Sequence, residues 1–245
     1  MPEFPSRPLT RRTFLSMSIS ASAFVAGCAT TEAPVTPALA PAPARPSRPT
    51  GLASDAELEA RYAAVEDGGH LIPAVPFREI DPKNYRQRVV DPTGEKPGTV
   101  VVDTSNRFLY LTEPGGTAMR YGVGIGRDGF AWHGEGIVHW RQPWPRWKPP
   151  AAMIARQPSL EKYSVENGGM APGIANPLGA RALYIFQNGA DTLYRLHGTA
   201  EWRSIGKAAS AGCVRLINQD VIDLYRRVPH HARIVVLQTP LATVA

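Results

Sequence analysis

The chain has 245 residues, of which 43% are hydrophobic and 20% charged. Once an export segment and linker are set aside, that length suits one domain with a substantial core and a small appended element. The formal charge of +6 counts three arginines of the first twelve residues, and no long basic run interleaved with aromatics follows, so the composition gives no reason to expect a nucleic-acid partner.

In chain order, Thr10-Arg11-Arg12-Thr13-Phe14-Leu15 forms a twin-arginine pattern leading into an apolar stretch, Phe14 to Gly27, too short to span a bilayer comfortably. It ends in Val25-Ala26-Gly27-Cys28, which resembles a lipobox. The expectation is therefore a twin-arginine-type lipoprotein signal peptide at 1–27, lipid on Cys28, and a periplasmic protein held to a membrane through that lipid. The alternative, a buried cysteine in an N-terminal helix, is disfavoured by the arginine pair and the position. Residues 28–50, rich in Pro, Ala and Thr, read as an extended tether.

Residues 51–97 read as an N-terminal extension with a short helix from Asp55 to Val65, its Leu58, Tyr62 and Val65 on one side. From Gly98 the pattern changes. Thr99–Asp103 and Phe108–Leu111 predict a hairpin, and Gly122-Val123-Gly124-Ile125-Gly126 predicts a strand and turn rather than a dinucleotide loop, since Arg127-Asp128-Gly129 follows where a helix should start. Helices are expected at Ala151–Gln157 and at Asn218–Arg227, with Asn218 as a cap. Many short strands punctuated by Gly and Pro predict a mainly β, largely antiparallel domain over 98–238 with a few short helices. Trp140, Trp144 and Trp147 read as packing residues in preference to a cleft wall or lid.

Chemistry concentrates at His197-Gly198-Thr199 and, after a short loop, Ser210-Ala211-Gly212-Cys213-Val214-Arg215. An imidazole near a thiol can take its proton and turn sulfur into a nucleophile, and small residues beside it let backbone N–H groups face an oxyanion. With Cys28 given to lipid, Cys213 has no disulfide partner; reactivity explains such a lone thiol, and burial as a small hydrophobe is the alternative. Gly198, Thr199, Ser210 and Gly212 are read as loop-shaping or substrate-contacting. Arg215 has a fork suited to a carboxylate, or to locking the loop through backbone carbonyls. His133, His139 and Glu135 lack a convincing metal spacing, so no metal site is assigned.

These motifs, with Asn176-Pro177-Leu178-Gly179 and Arg181-Ala182-Leu183-Tyr184 upstream, resemble the L,D-transpeptidase catalytic domain family of the YkuD type, peptidoglycan-remodelling enzymes that work through a cysteine. The resemblance implies a β-sandwich-like domain, Cys213 as nucleophile, His197 as base, a backbone carbonyl orienting the imidazole, and no cofactor. It also implies peptidoglycan stem peptides as partners, with 3→3 cross-links formed through a thioester and D-alanine released. A water acceptor would make the chain an L,D-carboxypeptidase, and a protein amine as acceptor would make it a lipoprotein-attaching enzyme. A wall-binding module that has lost catalysis is the reading from another class.

Overall fold

The computed structural model describes residues 53–126, 132–209 and 213–241. The signal peptide, Cys28, the tether, Ser210 and Gly212 lie outside the described residues. Ser54 starts α1 (Asp55–Arg61) with a reciprocal cap, accepting the Glu57 N–H while the Glu57 carboxylate accepts its own N–H at 2.7 Å. The helix ends four residues before the expected Val65. Val65 instead pairs with Ile72 in a hairpin of β1 (Val65–Asp67) and β2 (His70–Ile72), whose connecting Gly68 and Gly69 both have positive φ, as a tight two-residue turn requires.

Beyond two short 3-10 turns come β3 (Gln87–Val90), β4 (Val100–Asp103), β5 (Phe108–Glu113), β6 (Thr117–Gly122), β7 (Gly124–Gly126) and β8 (Gly134–Pro143). An excursion containing α2 (Ala151–Arg156) leads to β9 (Arg181–Gln187), β10 (Ala190–Thr199), β11 (Ala208–Ala209), β12 (Val214–Ile217), α3 (Asn218–Arg227) and β13 (Arg233–Leu237). The domain is mainly β with few short helices, as the sequence predicts. Among the described residues eleven strands form one sheet, in the order β11-β7-β12-β10-β9-β8-β13-β4-β5-β6-β3. It is mixed rather than antiparallel throughout, because β10 pairs in parallel with β12, β13 with β4 and β11 with β7.

Strand alternation fixes which face carries the core. Leu109 of β5, Tyr121 of β6, Leu183 and Ile185 of β9, Leu196 of β10 and Leu216 of β12 are fully buried in one cluster with Val221 and Leu224 of α3. Asn218 does not cap α3. Ile217 occupies that position, and the Asn218 Oδ1 instead accepts the Ala180 N–H at 2.9 Å, tying the start of the helix to the segment before β9. Trp144 is buried against Ile72, Ala180 and Ile222, whereas Trp140 is 53% exposed and stacks on Tyr184, so the packing reading fits only the former.

Candidate active site

Parallel pairing sets Leu196 opposite Val214 and His197 opposite Arg215. Since Leu196 and Val214 point into the core, period-two alternation turns Arg195, His197, Cys213 and Arg215 to the other face of the same two strands. Cys213 precedes Val214 and falls in the row of Arg195, one row from His197. Its backbone is held from the other side, where its carbonyl accepts the Gly126 N–H at 3.2 Å. The thiol is partly exposed and donates to the Leu193 carbonyl at 3.6 Å.

His197 is 5% exposed, and its Nδ1 lies 2.8 Å from the Gly198 carbonyl. A carbonyl only accepts, so this contact places a proton on Nδ1. The carbonyl-oriented imidazole of the sequence reading is thus present. Burial pushes the ring down to about 4, and the nearby Arg215 and Arg195 guanidiniums push the same way, against the Gly198 and Pro177 carbonyls. His197 is therefore neutral near pH 7. Burial also lowers Arg215, while the charges of Glu201 and Cys213 favour its protonated form.

Gly198 is required by its neighbours. A Cβ there would stand 2.2 Å from Asn218 Oδ1 and 3.0 Å from the Ala180 nitrogen, inside the bond that joins α3 to β9. Thr199 shapes the exit of β10, its Oγ1 accepting the Glu201 N–H at 3.0 Å. Asn176, 2% exposed, gathers the excursion between β8 and β9: its Nδ2 donates to the Pro145 and Ala171 carbonyls, both at 3.0 Å, and its Oδ1 accepts from Leu178 at 2.9 Å. This holds Pro177 against the imidazole.

Residues 97–236 match the family model described as the L,D-transpeptidase catalytic domain, YkuD. The chain belongs to that family. It is 29% identical over 169 residues to "Probable L,D-transpeptidase YbiS" of Escherichia coli K12, across 64% of this chain and 50% of that protein. It is 28% identical over 162 residues to "Probable L,D-transpeptidase ErfK/SrfK" of the same strain, across 63% and 48%. The chain thus spans about half the length of the curated relatives it matches. A crystal structure described as "a Probable carnitine operon oxidoreductase caia from Brucella melitensis" is 43% identical, covering 69% of this chain and 99% of that one with a TM-score of 0.46.

Around the YkuD-type motifs the structure adds residues that spacing did not single out. Asp67, from the β1–β2 hairpin, accepts Arg181 Nη1 at 2.7 Å and Nη2 at 2.8 Å, and the Trp144 indole N–H at 2.8 Å. The two Arg181 bonds, and then the indole bond, hold its carboxyl below the usual range. His70 packs on the Trp144 ring at 4.1 Å. The extension therefore clamps the entry to β9, a contact between residues more than a hundred positions apart that no local pattern encodes.

Proposed function

We propose that this chain is a peptidoglycan L,D-transpeptidase acting through Cys213. The observation that carries this reading is the placement of a partly exposed thiol and a carbonyl-oriented, neutral imidazole on one face of adjacent parallel strands, in a YkuD-family domain. His197 Nε2 takes the thiol proton, with the Pro177 carbonyl favouring the protonated ring. The sulfur attacks the carbonyl carbon of the third residue of a donor tetrapeptide stem, and a tetrahedral oxyanion forms. Its collapse breaks the C–N bond to the terminal D-alanine, whose amine leaves with the proton from His197, and a thioester remains on Cys213. The side-chain amine of a second stem attacks this thioester, passes its proton to His197, and forms the 3→3 amide as sulfur leaves. Backbone N–H groups near Gly212 and Cys213 are assigned the oxyanion, a contribution of about 3 kcal/mol per strong donor, and Ser210 a loop-shaping or substrate-contacting role. Arg215, beside Cys213 and Glu201, is assigned to the substrate carboxylate or to holding that loop.

Export, lipid on Cys28 and action in the periplasm complete the proposal, the tether letting an anchored enzyme reach the wall. The decisive experiment incubates purified protein with defined muropeptides, with and without an added amine, and reads products by mass. Expected are a Cys213 thioester, loss of D-alanine and a cross-linked dimer. Cys213→Ala should fold yet form none of these; cross-linking by that variant would sink the assignment. A product that is only trimmed would place the chain among L,D-carboxypeptidases.

A further inference from the structure

The chain turns from β9 to β10 through Asn188-Gly189, both at positive φ (51° and 79°), a two-residue hairpin closed by the pair Gln187–Ala190. That turn needs nothing more. Even so, the register slips between Asp191 and Arg195, and within the slip Leu193 sits at φ 63°, a left-handed conformation that disfavours a side chain like leucine. Core packing does not account for it, because the Leu193 side chain is 66% exposed.

Instead, the bulge is locked from within. Asp191 Oδ1 accepts the Leu193 N–H at 2.9 Å, and its two oxygens take Arg195 Nη1 and Nη2, each at 2.7 Å. The Arg195 Nη1 also donates to the Tyr194 carbonyl at 2.8 Å, and the guanidinium lies over the Tyr184 ring at 4.4 Å. Thr192 Oγ1 donates to the Ile185 carbonyl at 2.7 Å and accepts the Tyr194 N–H at 3.2 Å. What this lock presents outward is the Leu193 carbonyl, 3.6 Å from Cys213 Sγ. Bulges of this kind re-aim groups next to reactive centres.

Building on the reading of Cys213 as nucleophile, we propose that the Asp191–Arg195 bulge is a positioning device for the thiol: the Leu193 carbonyl holds the Cys213 S–H at rest, and Asp191 and Arg195 are positioning residues that aim it. A carbonyl accepts a hydrogen bond from a thiol and repels a thiolate, so it favours the neutral form and opposes Arg215, whose charge on the same face favours the thiolate. The proton then stays on sulfur until the imidazole takes it in the presence of substrate. Because thiolates are the species that oxidise and alkylate, the resting site is also guarded against both.

The test is the pH dependence of iodoacetamide alkylation of the full chain, read on the Cys213-containing peptide by mass. Leu193→Val, whose β-branch resists positive φ, withdraws the carbonyl without changing any charge. Leu193→Asn tolerates that conformation and keeps it. The valine variant is expected to titrate about half a unit lower, alkylating about threefold faster at pH 6.5, and the asparagine variant to follow wild type. Identical titration of the two overturns the proposal. Asp191→Asn keeps an acceptor for the Leu193 N–H and for Arg195 Nη1 but loses the second oxygen, and is expected to shift less than Asp191→Ala, which loses all three bonds; equal shifts in the two would assign the effect to charge and overturn it as well. Wild-type acylation by a tetrapeptide, measured in parallel, separates the two failures: with acylation present and titrations alike, only the positioning role falls, whereas without acylation the enzymatic reading falls and takes this one with it.

Discussion

On the outer face of β10, burial pushes the His197 imidazole down to about 4, whereas at the start of α3 burial pushes the Asp220 carboxyl up to about 6. Both groups are thereby driven toward their neutral forms by the same physics. Their surroundings differ. His197 shares its face with a partly exposed thiol and with Arg195 and Arg215. Asp220 is wholly enclosed: Tyr62 donates to it at 3.4 Å, Arg86 stands 3.7 Å from it and 3.3 Å from Asp223, and the adjacent Gln219 donates to the Ala63 and Pro73 carbonyls of the extension. A perturbed group marks chemistry only where a reactive neighbour and a route to solvent accompany it. The first region has a partly exposed thiol beside it, as the proposed function requires, and the second reads as an interface between the extension and α3.

The largest way to break this comparison is to remove the imidazole. His197→Gln keeps a polar side chain but no base near neutrality, and should slow acylation of Cys213 by about a thousandfold. Asp220→Asn should leave that rate within about twofold, since a conservative change in a closed interface falls within ordinary mutational scatter. Single-turnover acylation by a defined tetrapeptide stem, read by mass, would measure both. Equal losses in the two variants would erase the distinction between the regions.

A smaller effect is expected where the regions meet. Gly198 follows the imidazole, and Asn218 opens the helix that carries Asp220; Gly198→Ala drives a Cβ into the Asn218–Ala180 bond. Overpacking plus a broken buried hydrogen bond should cost about 4 kcal/mol, seen as a lower urea midpoint. A cost below about 1 kcal/mol would mean that α3 and the site are not mechanically joined there.

Much of this was legible in the sequence where the signal is local. The hairpin β4–β5 and the extent of α3 follow from alternation and helical spacing. The family was legible from the His197 and Cys213 motifs. Less legible was whatever depends on distant pairing. The early end of α1 is decided by Val65 meeting Ile72, the Asn218 side chain by Ala180, and the clamp at Asp67 by Arg181. The bulge carried a faint local cue in Asp191 and Arg195 at i,i+4, but its meaning depends on β12 arriving in parallel beside it.

The comparison is sharpest in the pH dependence of stability. His197, at about 4 folded against 6.5 unfolded, contributes stability that is full above 6.5 and lost as pH falls to 4. Asp220, at about 6 folded against 3.8 unfolded, contributes stability that is full below 3.8 and lost as pH rises through 6. Each is worth about 3 kcal/mol, and over the shared window their slopes oppose and largely cancel. Removing one unmasks the other. From pH 4 to 6, relative to wild type, Asp220→Asn should gain stability with rising pH and His197→Gln should lose it, while titrations common to all three proteins drop out of the differences. Urea denaturation at half-unit steps would resolve both slopes. If either variant kept the wild-type profile, burial would not be setting the charge of that group.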